Sequence, residues 1–308
     1  MKKFAVVEVG STNTKSYLYD AAKQDGEQVT EFPQRTFDFK VNHKKQGHFA
    51  EYDINGLCDL LNELNDKVGQ AGRVFVYGTS IFREISDTEL AAFTDRLKNE
   101  TGAIFSTVTA EQEAEYTVKG VTLGNDYCGR IAVMIGGGGS TEVCIVENKR
   151  IIEKHCNKYG GITVLNHCPQ VIDYKPNLKM GEVDDLCYKM TARIKNKTDV
   201  LVLAGGDFKF FYECAGAEYL QDNAYYKDSS QPYMLNYKDM KAIDRRFVLR
   251  QDLADYYKNF PEYSKIWWNG ARGMRFCVRA VGKRCGAKFF IPTKINMCLG
   301  IINELKNK

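Results

Sequence analysis

The 308-residue sequence lacks several features that would assign it to a class of proteins at once. It has no run near the roughly 20 consecutive apolar residues that a membrane-spanning helix needs, and Glu8 interrupts the first apolar stretch before it reaches the length of a secretory signal. Its ten cysteines include no C-x-x-C pair, the usual signature of a zinc or iron–sulfur site, and its four histidines show no ligand spacing. We therefore expect a cytoplasmic protein with reduced, mostly buried thiols and no membrane partner.

The composition is that of a globular protein without a strong charge bias. Hydrophobic residues make up 44% of the sequence and charged residues 27%, and the six prolines form no low-complexity tract. The net charge of +4 is small, which argues against a nucleic-acid polymer as the main ligand and leaves a small anionic ligand open. The length exceeds the usual size of a single hydrophobic core, so we expect two domains.

One pattern occurs twice, about 130 residues apart. Residues 6–19 are predicted to form a strand, a polar G-S-T-N-T-K turn and a second strand, and residues 130–147 have the same plan around four consecutive glycines, Gly136 to Gly139. Four glycines weaken strand packing, which indicates that something must approach the main chain closely there. A turn of Gly, Ser and Thr can aim backbone amides and hydroxyls at a phosphate oxygen. Two such turns facing across a cleft could clamp one phosphate chain.

Helical and strand patterns alternate in the rest of the chain. One helical face is predicted from Leu57 to Leu64, an amphipathic helix is predicted to end at Gly102, and a buried strand at 200–204 runs into Gly205 and Gly206. This alternation predicts an α/β protein whose ligand lies where strands end. A polar, glycine-containing stretch places a domain boundary near residues 120–128.

Two further segments carry polar side chains suited to phosphate chemistry. A strand ends at Thr79, Ser80 and Arg83, and a helix begins with Glu111 and Glu113. Glutamates at a helix N-terminus also have an electrostatic explanation, because they interact favourably with the helix dipole. The basic stretch at 272–288 favours a solvated helix face, with the lining of a cleft as the alternative.

The order and spacing of these segments resemble the Ppx/GppA phosphatases, the exopolyphosphatase and guanosine pentaphosphate phosphohydrolase family. The family's D-x-G-S-N-S loop is similar to residues 8–13, its A-T-S-A-x-R segment to 78–83, its G-x-E-E-A-R segment to 110–115 and its D-I-G-G-G-S-T-E loop to 135–142. Later segments resemble the family's G-A-V-R-L and G-T-G-G-T motifs. The resemblance covers nearly the whole chain and is strongest between residues 74 and 165.

The resemblance implies a fold, a division into domains and a set of site residues. The fold is two ribonuclease-H-like α/β domains of the actin, sugar kinase and Hsp70 superfamily flanking a cleft, expected at 1–124 and 125–308, with the terminal helix as a candidate to pack back on the first domain. Glu113 is the implied catalytic base. Mg²⁺ is the implied cofactor, with Glu8 and Glu142 as its ligands. The implied phosphate-binding residues are Gly10, Ser11, Thr12, Asn13, Arg83, Gly137, Gly138, Gly139, Ser140 and Thr141.

The sequence departs from the family pattern at four places. Glu8 replaces Asp in the first loop, which keeps the charge and lengthens the side chain, and Ile135 replaces the Asp of the second loop beside an extra glycine. Glu115 stands where the family has Arg, and Asp207 where it has Thr. The loss at position 135 leaves fewer carboxylates for a metal ion.

Three functions are consistent with this reading. The first is a hydrolase that releases terminal phosphate from inorganic polyphosphate or guanosine pentaphosphate by Mg²⁺-assisted in-line attack of water. The second, favoured by Ile135, is a sensor or binding protein of the same fold that retains polyphosphate or nucleotide binding but has weakened catalysis. The third is a sugar kinase or dehydratase activator, whose first loop resembles G-S-T-N-T-K but whose other signatures are weak here. The short two-domain form favours short substrates, and a homodimer is one expected assembly.

Overall fold

The structure is a computed structural model that describes residues 2–11, 13–123, 126–127, 129–172, 178–220, 226–227, 234–249, 253–261 and 263–307. Contacts within the chain group it into two compact units. The first unit comprises Met1–Tyr116 with Met297–Lys308, and the second comprises Thr117–Asn296. The boundary expected at residues 124–125 lies outside the described residues.

Strands and helices alternate along the chain, as the sequence pattern predicts. The strands are β1 Lys3–Val9, β2 Asn13–Asp20, β3 Val29–Glu31, β4 Arg35–Thr36, β5 Arg73–Gly78, β6 Ile104–Thr107, β7 Asp126–Tyr127, β8 Arg130–Gly136, β9 Thr141–Glu147, β10 Arg150–Asn157, β11 Val200–Ala204, β12 Tyr226–Lys227, β13 Leu235–Asn236 and β14 Phe289–Pro292. The helices are α1 Phe39–Gln46, α2 Glu51–Val68, α3 Asp87–Thr101, α4 Ala110–Thr122, α5 Gly161–His167, α6 Met180–Met190, α7 Asp207–Cys214, α8 Tyr237–Val248, α9 Ala254–Asn259, α10 Lys265–Cys285 and α11 Met297–Leu305.

The sheet of the first unit has the order β3-β2-β1-β5-β6, with β4 paired to β2. β1 and β2 form an antiparallel hairpin, whereas β1, β5 and β6 run parallel. The parallel strands need crossover connections, and these are α1 with α2 and then α3. The carboxyl ends of β1, β5 and β6 therefore lie at one edge of the sheet, where the first predicted phosphate loop begins.

Both faces of this sheet are covered. On one face, the leucines of α2, from Leu57 to Leu64, and the α3 residues Phe93 and Leu97 bury the side chains of Val7 and Val76. On the other face, α11 packs on β1 and β2, with Met297, Ile301 and Ile302 against Phe4, Val6 and Tyr17. The period-2 alternation of β1 sends successive side chains to these two cores.

The second unit repeats the same arrangement. Its main sheet has the order β10-β9-β8-β11-β14-β13, again with an antiparallel hairpin, β8 and β9, followed by parallel pairing of β8 with β11 and of β11 with β14. β7 and β12 form a small separate sheet. The repeated strand order confirms the predicted α/β fold with two ribonuclease-H-like sheets, and each predicted glycine turn connects the first two strands of its sheet.

The basic stretch of α10 corrects the sequence interpretation, because three of its arginines are buried rather than solvated. Arg272, Arg275 and Arg279 are 0, 2 and 4% exposed. Arg279 donates to Asp184 Oδ1 at 2.8 Å and lies 3.4 Å from Asp244, which is fully buried. The Arg275 guanidinium lies 3.8 Å from the ring centre of Phe211. Ion pairing and stacking on an aromatic ring compensate for the loss of water around Arg275 and Arg279.

Aromatic and histidine side chains add to the packing. Trp268 belongs to the core, and the four histidines take part in local contacts, such as His43 with Glu89 and His155 with Glu153. Among the described residues, no helix is both long and apolar enough to cross a bilayer.

Candidate functional site

The first glycine turn is short and closely packed. The amide of Gly10 donates to the carbonyl of Asn13 at 2.9 Å, and a Cβ on residue 10 would lie 2.9 Å from that same oxygen. Only glycine fits such a contact without a shift of the main chain. The carbonyl of Ser11 accepts a hydrogen bond from the amide of Lys40 at 3.1 Å, which ties the turn to α1. Thr12, a predicted phosphate ligand, lies outside the described residues.

The segment after β5 is tied to the same turn. The amide of Thr79 donates to the carbonyl of Val9 at 3.0 Å, so the chain leaving β5 lies beside the start of the turn. Ser80–Arg83 then forms a short 3₁₀ helix. Nη1 of Arg83 donates to the carbonyl of Val108 at 2.9 Å and to Oε2 of Glu113 at 3.1 Å. The predicted phosphate-binding arginine and the predicted base therefore form an ion pair.

Helix α4 begins with a reciprocal cap that fixes the position of Glu113. The amide of Gln112 donates to Oγ1 of Thr109 at 3.1 Å, and the amide of Thr109 donates to Oε1 of Gln112 at 2.9 Å. This is the capping box that T-x-x-Q spacing favours. Glu113 comes one residue later, and its side chain is 15% exposed. A largely buried carboxylate on a capped helix is held in one place, as a base must be.

The charge state of Glu113 depends on three neighbours as well as on burial. Burial raises the pKa of the Glu113 carboxyl, the charge of Glu8 raises it further, and Arg83 and Lys15 oppose both effects. Glu8 and Glu113 thus lie near enough to repel each other. Two carboxylates beside each other form a site that attracts cations.

Lys15 is the member of this group that the sequence interpretation missed. In the β1/β2 hairpin Glu8 pairs with Lys15, and Val9 pairs with Thr14 next to the turn. A tight turn at Gly10 to Asn13 fixes this register, so counting outwards from the turn would have placed Lys15 opposite Glu8. The sequence signal was present in the hairpin itself.

The second glycine turn is held by α5. The amide of Gly137 donates to the carbonyl of Ser140 at 3.0 Å, and Gly137, Gly138 and Gly139 are exposed. The carbonyls of Gly137 and Gly138 accept hydrogen bonds from the amides of Gly161 and Ile162 at 3.1 and 2.9 Å. With these carbonyls bound to α5, the turn is fixed in place while its glycine main chain remains open to solvent.

Thr141 and Glu142 follow the turn on β9 and are buried. The hydroxyl of Thr141 donates to the carbonyl of Tyr159 at 2.8 Å, and Thr141 is 0% exposed. Glu142 is 1% exposed and pairs in register with Ile135, the residue that replaces the family's Asp. Their assignments as phosphate and metal ligands stay predictions, and their burial favours a role in holding the turn.

The structure groups the predicted residues by unit. The first unit brings together Glu8, Gly10, Ser11, Asn13, Arg83 and Glu113. The second unit carries Gly137, Gly138, Gly139, Ser140, Thr141 and Glu142. Within the described residues, no cluster of three or more His, Cys, Asp or Glu side chains could hold a metal ion. A metal at Glu8 would therefore rely on one or two carboxylates, on water and on substrate oxygens, which is the coordination that Mg²⁺ commonly takes.

The repeated strand order, with a glycine turn in the first hairpin of each sheet, defines the α/β fold of the actin, sugar kinase and Hsp70 superfamily. The chain belongs to the Ppx/GppA phosphatase family, whose profile matches residues 35–254. Comparison with curated protein sequences gives no match.

Solved structures of two proteins illustrate the likeness in fold. The PPX-GPPA enzyme of Aquifex aeolicus is 18% identical, with a TM-score of 0.76 over 98% of this chain and 99% of that one. An exopolyphosphatase from Cytophaga hutchinsonii is 16% identical, with a TM-score of 0.72 over 99% of this chain and 98% of that one. At these identities the likeness establishes the fold.

Proposed function

We propose that this protein is a phosphoanhydride hydrolase that releases the terminal phosphate of inorganic polyphosphate or guanosine pentaphosphate. The observation that carries the proposal is the ion pair between Arg83 and Glu113 beside the first glycine turn. Membership of a phosphatase family and the fold shared with an exopolyphosphatase support the same chemistry. Phosphoryl transfer needs a positioned water and neutralised phosphate oxygens, and the first unit has groups of both kinds.

In the proposed reaction, a water molecule attacks the terminal phosphorus in line with the leaving phosphate oxygen. The ionised carboxylate of Glu113 accepts the proton that the water loses as the new P–O bond forms and the bridging P–O bond breaks. Arg83 holds Glu113 through Oε2 and can turn its remaining N–H groups towards phosphate oxygens as a planar donor. The main chain at Ser11 and the side chain of Asn13 would bind further phosphate oxygens, whereas the amide of Gly10 donates to Asn13 and shapes the turn.

We propose Mg²⁺ as the cofactor, with Glu8 as its protein ligand. The half-buried Glu8 carboxylate lies near Glu113, and a hard cation would relieve the repulsion between them. The metal would neutralise charge on the phosphate oxygens. We assign Glu142 an indirect role in shaping the second turn, because its carboxylate is buried.

The test is phosphate release by the Glu113→Gln variant. We expect release from polyphosphate and from guanosine pentaphosphate to fall at least about 100-fold, since a positioned general base contributes roughly 10²–10⁴-fold to a rate. Glu111→Gln is the matched control, because it removes the same charge from an exposed position in the same helical turn. Equal rates for the wild type and Glu113→Gln would refute the role of Glu113.

A binding or sensor protein is the second candidate, and Ile135 is the observation that favours it. Ile135 pairs with Glu142 in the register position one step before the last pair of the hairpin, Gly136 with Thr141. An apolar side chain therefore stands where the family has a carboxylate. This candidate predicts that polyphosphate binds to the wild type and to Glu113→Gln alike while neither releases phosphate. Isothermal titration with polyphosphate, run beside the release assay, distinguishes the two functions.

A further inference from the structure

The hairpin that forms the first glycine turn carries a cation directly opposite the proposed metal ligand. Glu8 on β1 pairs with Lys15 on β2, and directly opposed residues of an antiparallel pair have Cβ atoms about 4.5–5.5 Å apart on one face of the sheet. The same face carries Phe4 and Val6 on β1 and Tyr17 on β2, which pack against α11. Glu8 and Lys15 therefore lie on this same face, at the end of the hairpin nearest the turn.

Helix α4 places Glu113 over the same part of the sheet. On the other side of Glu8, β5 contributes Tyr77 as its register partner. The ring of Tyr77 lies 6.5 Å from the ring of Tyr116 on α4. Glu113 precedes Tyr116 by three residues and so lies on the same side of the helix. The row Lys15, Glu8, Tyr77 is thus covered by the side of α4 that carries Glu113.

The charges of this group balance before any metal ion arrives. Arg83 contacts Glu113 at 3.1 Å, which leaves Lys15 as the cation opposite Glu8. An ammonium group on a flexible four-carbon stem can remain beside a carboxylate one strand away. A divalent cation that approaches Glu8 meets this positive charge at close range.

We propose that Lys15 is a built-in counter-cation of Glu8, so that Mg²⁺ binds weakly to the free protein and tightly only together with a phosphate chain. The proposal rests on the function proposed above. When a polyanionic substrate binds, its oxygens supply the negative charge that Lys15 cancels in the free site, and the metal gains ligands at the same moment. Lys15 thereby sets the order in which the two bind.

Isothermal titration of the free protein with MgCl₂ tests this directly. Removing the charge in Lys15→Met should tighten Mg²⁺ binding about tenfold, the size expected for one unit charge acting on a divalent ion a few ångströms away in a largely aqueous setting. Lys15→Arg keeps the charge and should bind Mg²⁺ as the wild type does. Lys3→Met is the matched control, since Lys3 pairs with Asp20 at the far end of the same hairpin.

Several outcomes would overturn the inference. One is an Mg²⁺ affinity of Lys15→Met equal to that of the wild type. Another is a gain in affinity in Lys3→Met as large as that in Lys15→Met, because the gain would then reflect net charge in general. Lys15→Gln repeats the test with a polar side chain if the methionine variant unfolds. Phosphate release by the wild type and by Glu113→Gln is measured in a separate assay. If the Mg²⁺ titrations refute the role of Lys15, the proposed hydrolase is unaffected. If the protein is not a hydrolase, only the phosphate-release assay shows it.

Discussion

Replacing Gly160 by alanine should displace the second glycine turn from α5. A Cβ on residue 160 would lie 2.1 Å from the carbonyl oxygen of Gly137 and 2.9 Å from the carbonyl carbon and oxygen of Gly138. All three atoms belong to the main chain, so no side chain can rotate to make room. The turn or the start of α5 must move by about 1 Å to restore ordinary contact.

The expected cost follows from the contacts that this movement disturbs. Overpacking of a closely packed site costs roughly 1–3 kcal/mol. The hydrogen bonds from Gly161 to Gly137 and from Ile162 to Gly138 lie at the same junction, and each contributes about 1 kcal/mol. We expect Gly160→Ala to lower the free energy of unfolding of the second unit by about 2–4 kcal/mol.

Urea unfolding followed by tryptophan fluorescence measures this change in the right part of the molecule. The two tryptophans of the chain, Trp267 and Trp268, both lie on α10 in the second unit. Gly181→Ala is the control, because a Cβ there meets nothing within 4 Å and alanine favours a helix by up to about 1 kcal/mol over glycine. If Gly160→Ala proves as stable as Gly181→Ala, the close packing of the turn on α5 is not what holds it.

Three further predictions concern stability. Burial raises the pKa of Glu153, but hydrogen bonds from the amides of Lys195 and Asn196 and from His155 outweigh it and bring the value to about 2. The folded pKa lies below the ordinary 4.5, so the ionised carboxylate stabilises the folded protein. Above about pH 4.5 the wild type should be more stable than Glu153→Gln by up to about 3 kcal/mol. In urea titrations this difference should vanish as the pH falls towards 2. Asp244→Asn should destabilise the second unit by about 3–5 kcal/mol in the tryptophan assay, since it removes the carboxylate beside the buried Arg275 and one of the two beside Arg279. A change under about 1 kcal/mol would contradict this. Thr109→Ala should cost about 1 kcal/mol through loss of the α4 cap, read by circular dichroism, whereas Thr88→Ala on an exposed part of α3 should not.

Local sequence signals predicted much of the fold. The amphipathic pattern that ends at Gly102 is α3, whose last residue, Thr101, is followed by Gly102 in the left-handed conformation at φ 67°. The apolar face from Leu57 to Leu64 lies in α2, which begins earlier, at Glu51, than the leucine pattern alone showed. Both glycine turns join the strands that were predicted around them. These predictions were correct because each feature depends only on residues that lie close together in the sequence.

The features that sequence reasoning missed depend on distant partners. Charge spacing in α10 suggested a solvated face, whereas the partners of Arg279 and Arg275 are Asp184, Asp244 and Phe211, which are remote in sequence. The periodicity of a single helix cannot show that an acidic side chain on another helix will neutralise its arginines. Lys15 is a different case, because the hairpin register that places it opposite Glu8 could have been counted from the turn.

The packing of α11 has a consequence for how the chain is made. This helix completes the core over Phe4 and Val6, yet its residues follow the whole of the second unit in sequence. On the ribosome, the continuous second unit can therefore finish folding while one face of the earlier sheet is still uncovered. A nascent chain halted before residue 297 should expose that apolar face to chaperones, and it should become protected only once the last helix emerges.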